Sequence, residues 1–185
     1  SWYEVHLNSQ EGTNIIGTMY PGTPNILIGV NEYLGWSHTV NYPDKTDVFK
    51  LRMKNKRKYI VDEDEYELEK LKAKITIKIL GIPIKINRKY FKSIYGPTLK
   101  NKSGYYSIRT PSLFNIKALE QWWRMGKSKN FTEFYKNLKM RELPGFNIGY
   151  ADKYDTIFYM SNGIIPKRAQ GYDWKGIVPG DTKKT

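Results

Sequence analysis

The sequence predicts an α+β fold, a largely antiparallel β-sheet structure with two short helices. Short apolar or alternating segments recur between turn residues over most of the chain. Only residues 111–143 carry apolar side chains at helical spacing. Aromatic residues make up 15% of the 185 positions, and β-strands favour such side chains. These three observations together predict sheets with a single helical section.

The first part of the chain is predicted to form four strands, at residues 2–6, 14–19, 25–30 and 34–40. Turn residues separate them, because Pro21-Gly22 and Asn31-Glu32 fit tight turns. The third strand is apolar and β-branched enough to be buried.

Further strands are predicted within residues 49–101, at residues 49–53, 58–61, 72–80, 82–87 and 92–94. Basic residues concentrate here and alternate with Ile, Leu and Val, as on the solvated face of a strand. The acidic run at residues 62–69 either continues as a strand or opens as a loop. Adjacent carboxylates with no histidine nearby favour a solvated surface over a metal site.

The helical section is predicted to begin at Pro111-Ser112, with Ser112 as the N-cap. Gly126 ends the first helix, and a second helix follows over residues 131–143 until Pro144 breaks it. Helical spacing predicts that one face of each helix packs in the core; this face comprises Leu113, Ile116, Leu119, Trp123, Phe131, Phe134, Tyr135 and Leu138.

A hairpin is predicted after the helices, with strands at residues 146–151 and 156–161 joined by Asp152-Lys-Tyr-Asp155. Asn147 lies inside its first strand, where an amide is costly to bury unless its hydrogen bonds are used. Its side chain either satisfies a neighbouring backbone group or serves a functional site. Residues 177–185 are predicted to be a frayed polar tail.

Composition excludes several kinds of site. The chain has no cysteine, which excludes disulfides, thiolate catalysis and Cys-ligated zinc. A histidine-based metal site would need carboxylates, because His6 and His38 are the only histidines. No run of about 18 apolar residues is present, so no membrane span is predicted. Residues 1–6 show no signal peptide.

Several motifs resemble the penicillin acylase family of N-terminal nucleophile hydrolases. The late motifs are Asn147-x-x-Tyr-Ala-Asp152, Gly163-x-x-Pro-x-Arg168 and Trp174-Lys-Gly176. The early motifs are Pro21-Gly-Thr-Pro24, Ile28-Gly-x-Asn31, Trp36 and Asp44-x-x-Asp47. The resemblance implies an internal part of the catalytic β subunit, with a partial αββα core.

The resemblance also implies a division of the chain. Residues 1–49 and 144–176 would form the oxyanion-site strands of the core. Residues 50–110 would be a basic β-rich insertion, residues 111–143 a helical pair and residues 177–185 a tail.

The resemblance assigns three catalytic positions. The side-chain N–H of Asn147 and the backbone N–H of Val40 would bind the oxyanion of a tetrahedral intermediate. Arg168 would help to orient Asn147 and the terminal amine.

Further binding residues follow from the same resemblance. His38 and Tyr42 would face the acyl pocket. A structural calcium ion would bind Asp44, the carbonyl of Thr46 and Asp47, whereas catalysis would require no cofactor. From spacing alone the two aspartates fit either a hard cation or a solvated turn.

The implied function is hydrolysis of the amide bond of N-acyl compounds, such as β-lactam antibiotics or acyl-homoserine lactones. In the family a Ser, Cys or Thr at the first position of the mature subunit attacks the amide, with its own α-amino group as base. Ser1 does not match the family's start, so the nucleophile is expected upstream and the chain alone is expected to be inactive. Its partners would be the α subunit, the N-terminal part of the β subunit and, through exposed strand edges, another copy. The implied location is periplasmic or extracytoplasmic.

A second hypothesis is a basic β-rich module that binds nucleic acid or an anionic surface. The formal charge of +13 supports it, since clustered Lys and Arg neutralise phosphates. No recognisable nucleic-acid-binding signature accompanies the charge, so nucleic acid is not favoured.

Overall fold

The computed structural model describes residues 2–185. Ser1, considered above as a nucleophile, lies outside the described residues. The chain divides into two compact units: unit 1 comprises Ser1–Pro43 and Pro111–Ile165, and unit 2 comprises Asp44–Thr110 and Pro166–Thr185. Both units are built mainly from antiparallel strands, and two helices occur in unit 1 among the described residues. The predicted α+β class is confirmed.

In chain order the elements are β1 (Tyr3–Ser9), β2 (Thr13–Met19), β3 (Ile28–Asn31), β4 (Leu34–Thr39), β5 (Asp47–Lys50), β6 (Arg52–Met53), β7 (Lys58–Val61), β8 (Asp64–Glu67), β9 (Glu69–Ile79), β10 (Ile82–Ser93), β11 (Gly96–Asn101), β12 (Gly104–Arg109), α1 (Ala118–Gly126), α2 (Phe131–Leu138), β13 (Gly145–Asp152), β14 (Ile157–Gly163) and β15 (Ile177–Pro179).

Unit 1 is a six-stranded antiparallel sheet in the order β1-β2-β3-β4-β13-β14, with α1 and α2 packed on one face. Alternate residues of the strands point toward the helices and form the core. The buried side chains of this core are Ile15, Ile26, Leu34, Trp36, Met125, Phe134, Leu138, Leu143, Ile148 and Tyr150.

Two glycines let β2 and β3 approach closely. Gly17 pairs with Gly29 across the two strands. A Cβ atom on Gly17 would lie 2.2 Å from the carbonyl oxygen of Ile28, which no side chain can tolerate. The pair therefore sets the spacing of the strands that lead to β4.

Unit 2 contains a six-stranded sheet in the order β15-β5-β12-β11-β10-β9 and a three-stranded sheet in the order β6-β7-β8. Its core comprises Phe49, Leu51, Tyr59, Val61, Leu68, Tyr95, Tyr105 and Val178. The prediction of a frayed tail was wrong. β15 pairs in parallel with β5, and Val178 is only 2% exposed, because its apolar side chain closes this core.

The prediction for the first helix was also partly wrong. α1 begins at Ala118, and Ser112 belongs to a preceding turn with a positive φ of 72° instead of capping a helix. Ile116 is 90% exposed and Leu119 41% exposed, whereas Met125 is fully buried. The predicted face was wrong because the N-cap is Lys117, five residues later than expected, so two of the four predicted face residues, Leu113 and Ile116, lie outside the helix.

The two later predictions fared better. α2 starts after Asn130, as predicted, and the Asn130 side chain accepts a hydrogen bond from the Glu133 N–H. Its predicted end at residue 143 was wrong, because the helix ends at Leu138. The hairpin of β13 and β14 forms as expected. The Asp152 Oδ1 atom accepts hydrogen bonds from the N–H groups of Tyr154 and Thr156, which closes its turn.

Candidate active site

Asn147 lies on β13, between β4 and β14. It pairs with Thr39 on one side and with Ser161 on the other. Its neighbour Ile148 is buried in the core beneath the helices, so Asn147 points to the opposite face of the sheet. Its side chain is half-buried there.

Two hydrogen bonds fix the orientation of the Asn147 amide. The Nδ2 atom donates to the carbonyl oxygen of Val40 at 3.3 Å, and the Oδ1 atom accepts from the Tyr159 hydroxyl at 3.0 Å. A carboxamide nitrogen carries two hydrogens, and within residues 2–185 one of them is used, in the bond to Val40. The second N–H is available to an acceptor, such as an oxyanion.

Val40 follows directly after β4 and is 62% exposed. Its main chain lies against the Asn147 side chain because the pairing of β4 with β13 places Thr39 opposite Asn147. The structure therefore brings together these two sequence-predicted residues, which are 107 positions apart.

His38 lies on β4, and its side chain is on the face of the sheet opposite to Asn147. Its ring contacts those of Trp122 and Phe146 edge-on, at centroid distances of 5.4 and 5.6 Å. Its Nδ1 atom lies 3.2 Å from both the Leu27 carbonyl oxygen and the Trp122 indole nitrogen. The structure does not bring His38 to the Asn147 face.

Burial controls the charge of His38. The side chain is 5% exposed, and its Nε2 atom has no hydrogen-bond partner within residues 2–185. Desolvation lowers the pKa of His38 to about 4, although the hydrogen bond with the Leu27 carbonyl acts in the opposite direction. The imidazole is therefore neutral at pH 7.

Tyr42 follows Val40 in the segment after β4. Its side chain is 92% exposed. The preceding residue, Asn41, anchors this segment by donating from Nδ2 to the Asn162 carbonyl oxygen at 2.7 Å. Tyr42 thus stands in solvent two residues beyond Val40, and its contact with a substrate remains a prediction.

Arg168 binds two aspartates in unit 2. Its Nε atom donates to Asp47 at 2.9 Å, and its NH1 atom donates to Asp44 at 3.0 Å. Asp47 is 1% exposed and also lies 3.6 Å from a guanidinium nitrogen of Arg109. These are the same carboxylates that were predicted to bind calcium.

The predicted calcium ligands have other partners in the structure. The carboxylates of Asp44 and Asp47 hold the Arg168 guanidinium, whereas the bond from the Thr46 hydroxyl to Thr110 does not involve the predicted carbonyl ligand. Within residues 2–185 no group of three or more His, Cys, Asp or Glu side chains could hold a metal ion. The fit to calcium is therefore incomplete in this chain, and both the ion and the placing of Arg168 beside Asn147 remain predictions.

Sequence reasoning missed the contacts that three side chains make at these positions: Tyr159 with Asn147, and Trp122 and Phe146 with His38. Tyr159 could have been found, because the predicted hairpin turn sets the register of β14 against β13. In that register Tyr159 is a diagonal neighbour of Asn147 on the same face. Trp122 belongs to a helix, and the sequence holds no signal for its contact with His38.

The profile of the family described as penicillin amidase matches residues 1–185. The chain belongs to the penicillin amidase family. No α-helix within residues 2–185 of this family member has the length and apolar content needed to cross a bilayer.

The sequence is also similar to acylases, which is consistent with membership of this family. The chain is 26% identical over 176 residues to acyl-homoserine lactone acylase PvdQ of Pseudomonas fluorescens Pf0-1, covering 89% of this chain and 23% of the relative. It is 25% identical over 177 residues to aculeacin-A acylase of Actinoplanes utahensis, covering 90% and 22%. The chain therefore spans less than a quarter of the length of these penicillin amidase relatives.

A solved structure shows the same fold. Thermostable penicillin G acylase from Alcaligenes faecalis superposes with a TM-score of 0.83 at 22% sequence identity. The match covers 97% of this chain and 33% of that one. The arrangement of strands and helices in this penicillin amidase family member is thus shared across nearly its whole length.

Proposed function

We propose that this chain supplies the oxyanion-binding part of an amide hydrolase that acts on N-acyl compounds. The observation that carries the proposal is the contact between the Asn147 side chain and the Val40 main chain. Family membership adds the reaction class, because the named relatives are acylases.

In the proposed reaction a nucleophile attacks the carbonyl carbon of the amide, and negative charge develops on the carbonyl oxygen. The free N–H of Asn147 and the backbone N–H of Val40 donate to that oxygen. The C–N bond then breaks, and the amine leaves with the proton that the nucleophile gave up. Water finally attacks the acyl group on the nucleophile and releases it as the carboxylic acid. Tyr159 donates to the Asn147 Oδ1 atom and so keeps the Nδ2 side of the amide toward Val40. Preorganised donors stabilise the transition state because they do not reorganise as charge develops.

The attacking group and its base are proposed to come from parts of the protein outside the described residues. The relatives named above are more than four times as long as the matched segment, which leaves room for these groups. An α subunit and the N-terminal part of a β subunit are the proposed partners. A periplasmic or extracytoplasmic location is proposed from the family resemblance alone.

The proposed substrate is an amide that joins an acyl group to an amine. The names of the relatives support this class, since one acts on acyl-homoserine lactones, one on aculeacin A and one on penicillin G. A β-lactam antibiotic and an acyl-homoserine lactone are both candidates for this protein.

The test is turnover by the whole protein that contains this chain, measured on penicillin G and on an acyl-homoserine lactone. The Asn147→Ala variant should lose about 100- to 1,000-fold in kcat, the usual effect of removing one oxyanion donor. Tyr159→Phe should lose less, because it removes only the group that orients the amide.

Ser161→Ala is the matched control, since Ser161 pairs with Asn147 and is exposed. It should retain wild-type kcat. Unchanged turnover in Asn147→Ala would remove the role proposed for this residue.

A structural calcium ion is a separate proposal. Asp44, Asp47 and the Thr46 carbonyl would hold it, with further ligands from outside this chain, and Arg168 would have to share the carboxylates. Calorimetric titration of the whole protein with Ca²⁺ should show binding that Asp44→Asn weakens. Absence of binding heat at millimolar Ca²⁺ would dismiss the ion.

A further inference from the structure

The hairpin of β9 and β10 extends beyond the sheet to which it belongs. β10 pairs with β11 only over Phe91–Ser93, whereas β9 and β10 pair with each other from Ile79↔Ile82 back to Glu69↔Lys92. Residues 70–90 therefore form a two-stranded ribbon, and no further strand of residues 2–185 pairs with it. Such a ribbon is marginal in water unless something covers it.

The two faces of this ribbon differ in character. Because paired residues of antiparallel strands share a face, the register assigns each side chain to one of the two. One face carries eight apolar residues: Leu71, Ala73, Ile75, Ile77, Ile79, Ile82, Ile84 and Ile86. The opposite face carries six lysines: Lys70, Lys72, Lys74, Lys78, Lys85 and Lys89.

The apolar face is uncovered. The isoleucines nearest the tip, Ile79 and Ile82, are 53% and 66% exposed, and Ile75, Ile77 and Ile84 are 42–45% exposed. Contiguous exposed apolar surface of this kind marks a site of contact with a membrane or another protein.

The turn at the tip is apolar as well. Leu80 and Gly81 have φ values of 50° and 84°, as in a two-residue turn with both residues left-handed. Such turns favour Asn-Gly or Asp-Gly, because Asn and Asp adopt a positive φ readily and their polar side chains are suited to exposure to water. Leu80 instead stands 98% exposed in a conformation that it rarely adopts. Neither local conformation nor burial explains leucine at this position.

The charge of the ribbon has a single sign. Residues 70–91 contain the six lysines and Arg88, and no Asp or Glu. Among residues 2–185, none of these seven cations forms a salt bridge with a carboxylate. Their charge is available to an external anionic surface.

We propose that the β9–β10 ribbon binds the surface of an anionic lipid bilayer, with its tip inserted among the head groups. Ile79, Leu80 and Ile82 enter the boundary between head groups and acyl chains, as the apolar face of an interfacial segment does. Lys85 lies three residues from Ile82, about 10 Å along the strand, which matches the depth of such insertion. Lys78 and Lys85 then meet the phosphates while the tip is buried.

Charge and apolarity together favour lipid over other partners. A nucleic acid offers phosphates to the lysines but no apolar phase for Leu80 and the isoleucines. A second copy of this chain would bring the same seven positive charges against its own, which repel. An anionic bilayer complements both the apolar face and the lysine face.

The first experiment places a reporter at the tip. Because the chain has no cysteine, Leu80→Cys allows a single environment-sensitive fluorophore to be attached. Its emission should shift to the blue with vesicles of phosphatidylcholine mixed with phosphatidylglycerol, and lipid-borne quenchers should quench it. Phosphatidylcholine vesicles alone should bind more weakly, and added salt should reduce binding. Ile116→Cys is the control, since Ile116 is 90% exposed in unit 1, and its label should not respond.

The second experiment measures partition onto the same vesicles by co-sedimentation. Leu80→Asn should bind about tenfold more weakly, because an apolar side chain no longer inserts, and asparagine suits the turn, so the fold is kept. Lys78→Glu combined with Lys85→Glu should lose at least about tenfold on anionic vesicles. Lys167→Glu, outside the ribbon, is the charge control and should lose much less.

Several results would overturn the proposal: no binding to the anionic vesicles, equal binding to neutral ones, or no effect of the ribbon variants. A dimer that Leu80→Asn dissociates would show that the ribbon binds a second copy of the chain. A DNA oligonucleotide that binds the ribbon in preference to vesicles would show that its partner is a nucleic acid.

Discussion

At the scale of single residues, neighbouring positions of the paired strands β4 and β13 have opposite environments, because His38 pairs with Ile148, the residue next to Asn147. Asn147 stands on the face away from the helices, with one amide hydrogen unused. His38 lies on the helix face, where burial keeps its ring neutral. The period of two in β-strands explains this separation. His38 therefore belongs to the core beneath the candidate site. Its contribution to the free energy of unfolding can be measured.

The unfolding free energy should depend on pH through His38. The folded pKa is about 4 and the unfolded pKa about 6.5, so between these values the unfolded state binds more protons. Stability is complete above pH 6.5 and falls as the pH drops toward 4. Between pH 7 and pH 4.5 this group should remove about 2–3 kcal/mol.

Denaturant unfolding at the two pH values checks this prediction. His38→Gln should lack that part of the pH dependence, whatever its stability at pH 7. His6→Gln is the control because His6 is exposed, and it should keep the wild-type dependence. A His38→Gln variant with the full wild-type slope would contradict the assigned burial.

At the scale of elements, one buried amide joins the two helices and the strand that carries Asn147. Gln121 of α1 is fully buried. Its Nε2 atom donates to the Leu138 carbonyl at 3.1 Å, and its Oε1 atom accepts from the N–H groups of Glu142 and Leu143 at 2.7 and 3.1 Å. It thereby forms hydrogen bonds with backbone groups at the end of α2 and in the segment that leads into β13.

Replacing this amide should destabilise the helical layer. Gln121→Met conserves volume but leaves the N–H groups of Glu142 and Leu143 without their acceptor, which should cost about 2–4 kcal/mol. The Leu138 carbonyl still accepts from the Arg141 N–H at 3.3 Å. Thermal or denaturant unfolding measures the change. Gln10→Met, at an exposed position of unit 1, should change stability little. Equal stability of the two variants would show that the Gln121 contacts are not needed.

At the scale of the whole molecule, the candidate site lies on an open sheet face. The side chains on the Asn147 face include Val30, Ile157 and Tyr159, which are 49%, 87% and 68% exposed. Apolar and aromatic side chains at these positions are exposed among residues 2–185. The chain spans only 23% of the length of the PvdQ relative, so the partners proposed above are the candidates to cover this face.

The purified 185-residue chain should therefore not hydrolyse N-acyl amides by itself. With the nucleophile proposed above to come from another part of the protein, oxyanion donors alone leave at most a small residual acceleration. Release of the amine from penicillin G or an acyl-homoserine lactone is the measurement, with the longer protein as positive control. Turnover by the chain alone that Asn147→Ala abolishes would contradict the prediction.

Much of the fold could be predicted from local signals. Alternation and turn residues predicted the hairpin of β13 and β14, and the spacing of Phe134 and Leu138 predicted the buried face of α2. These predictions succeeded because strand period, turn chemistry and helix spacing act over a few residues. The prediction for the apolar face of α1 was wrong because it also used only local signals. Where α1 begins depends on contacts with residues that are distant in the sequence.

The sequence by itself determined the α+β class, the alternation of basic and apolar residues in the strands on either side of Gly81, and the candidacy of Asn147 by resemblance. Only the tertiary structure decided that Asn147 meets Val40, that Tyr159 orients it and that His38 faces the other way. The physical reason is strand register: the pairing of β4 with β13 joins segments more than 100 residues apart. Once that register is set, the two-residue period assigns every side chain to a face.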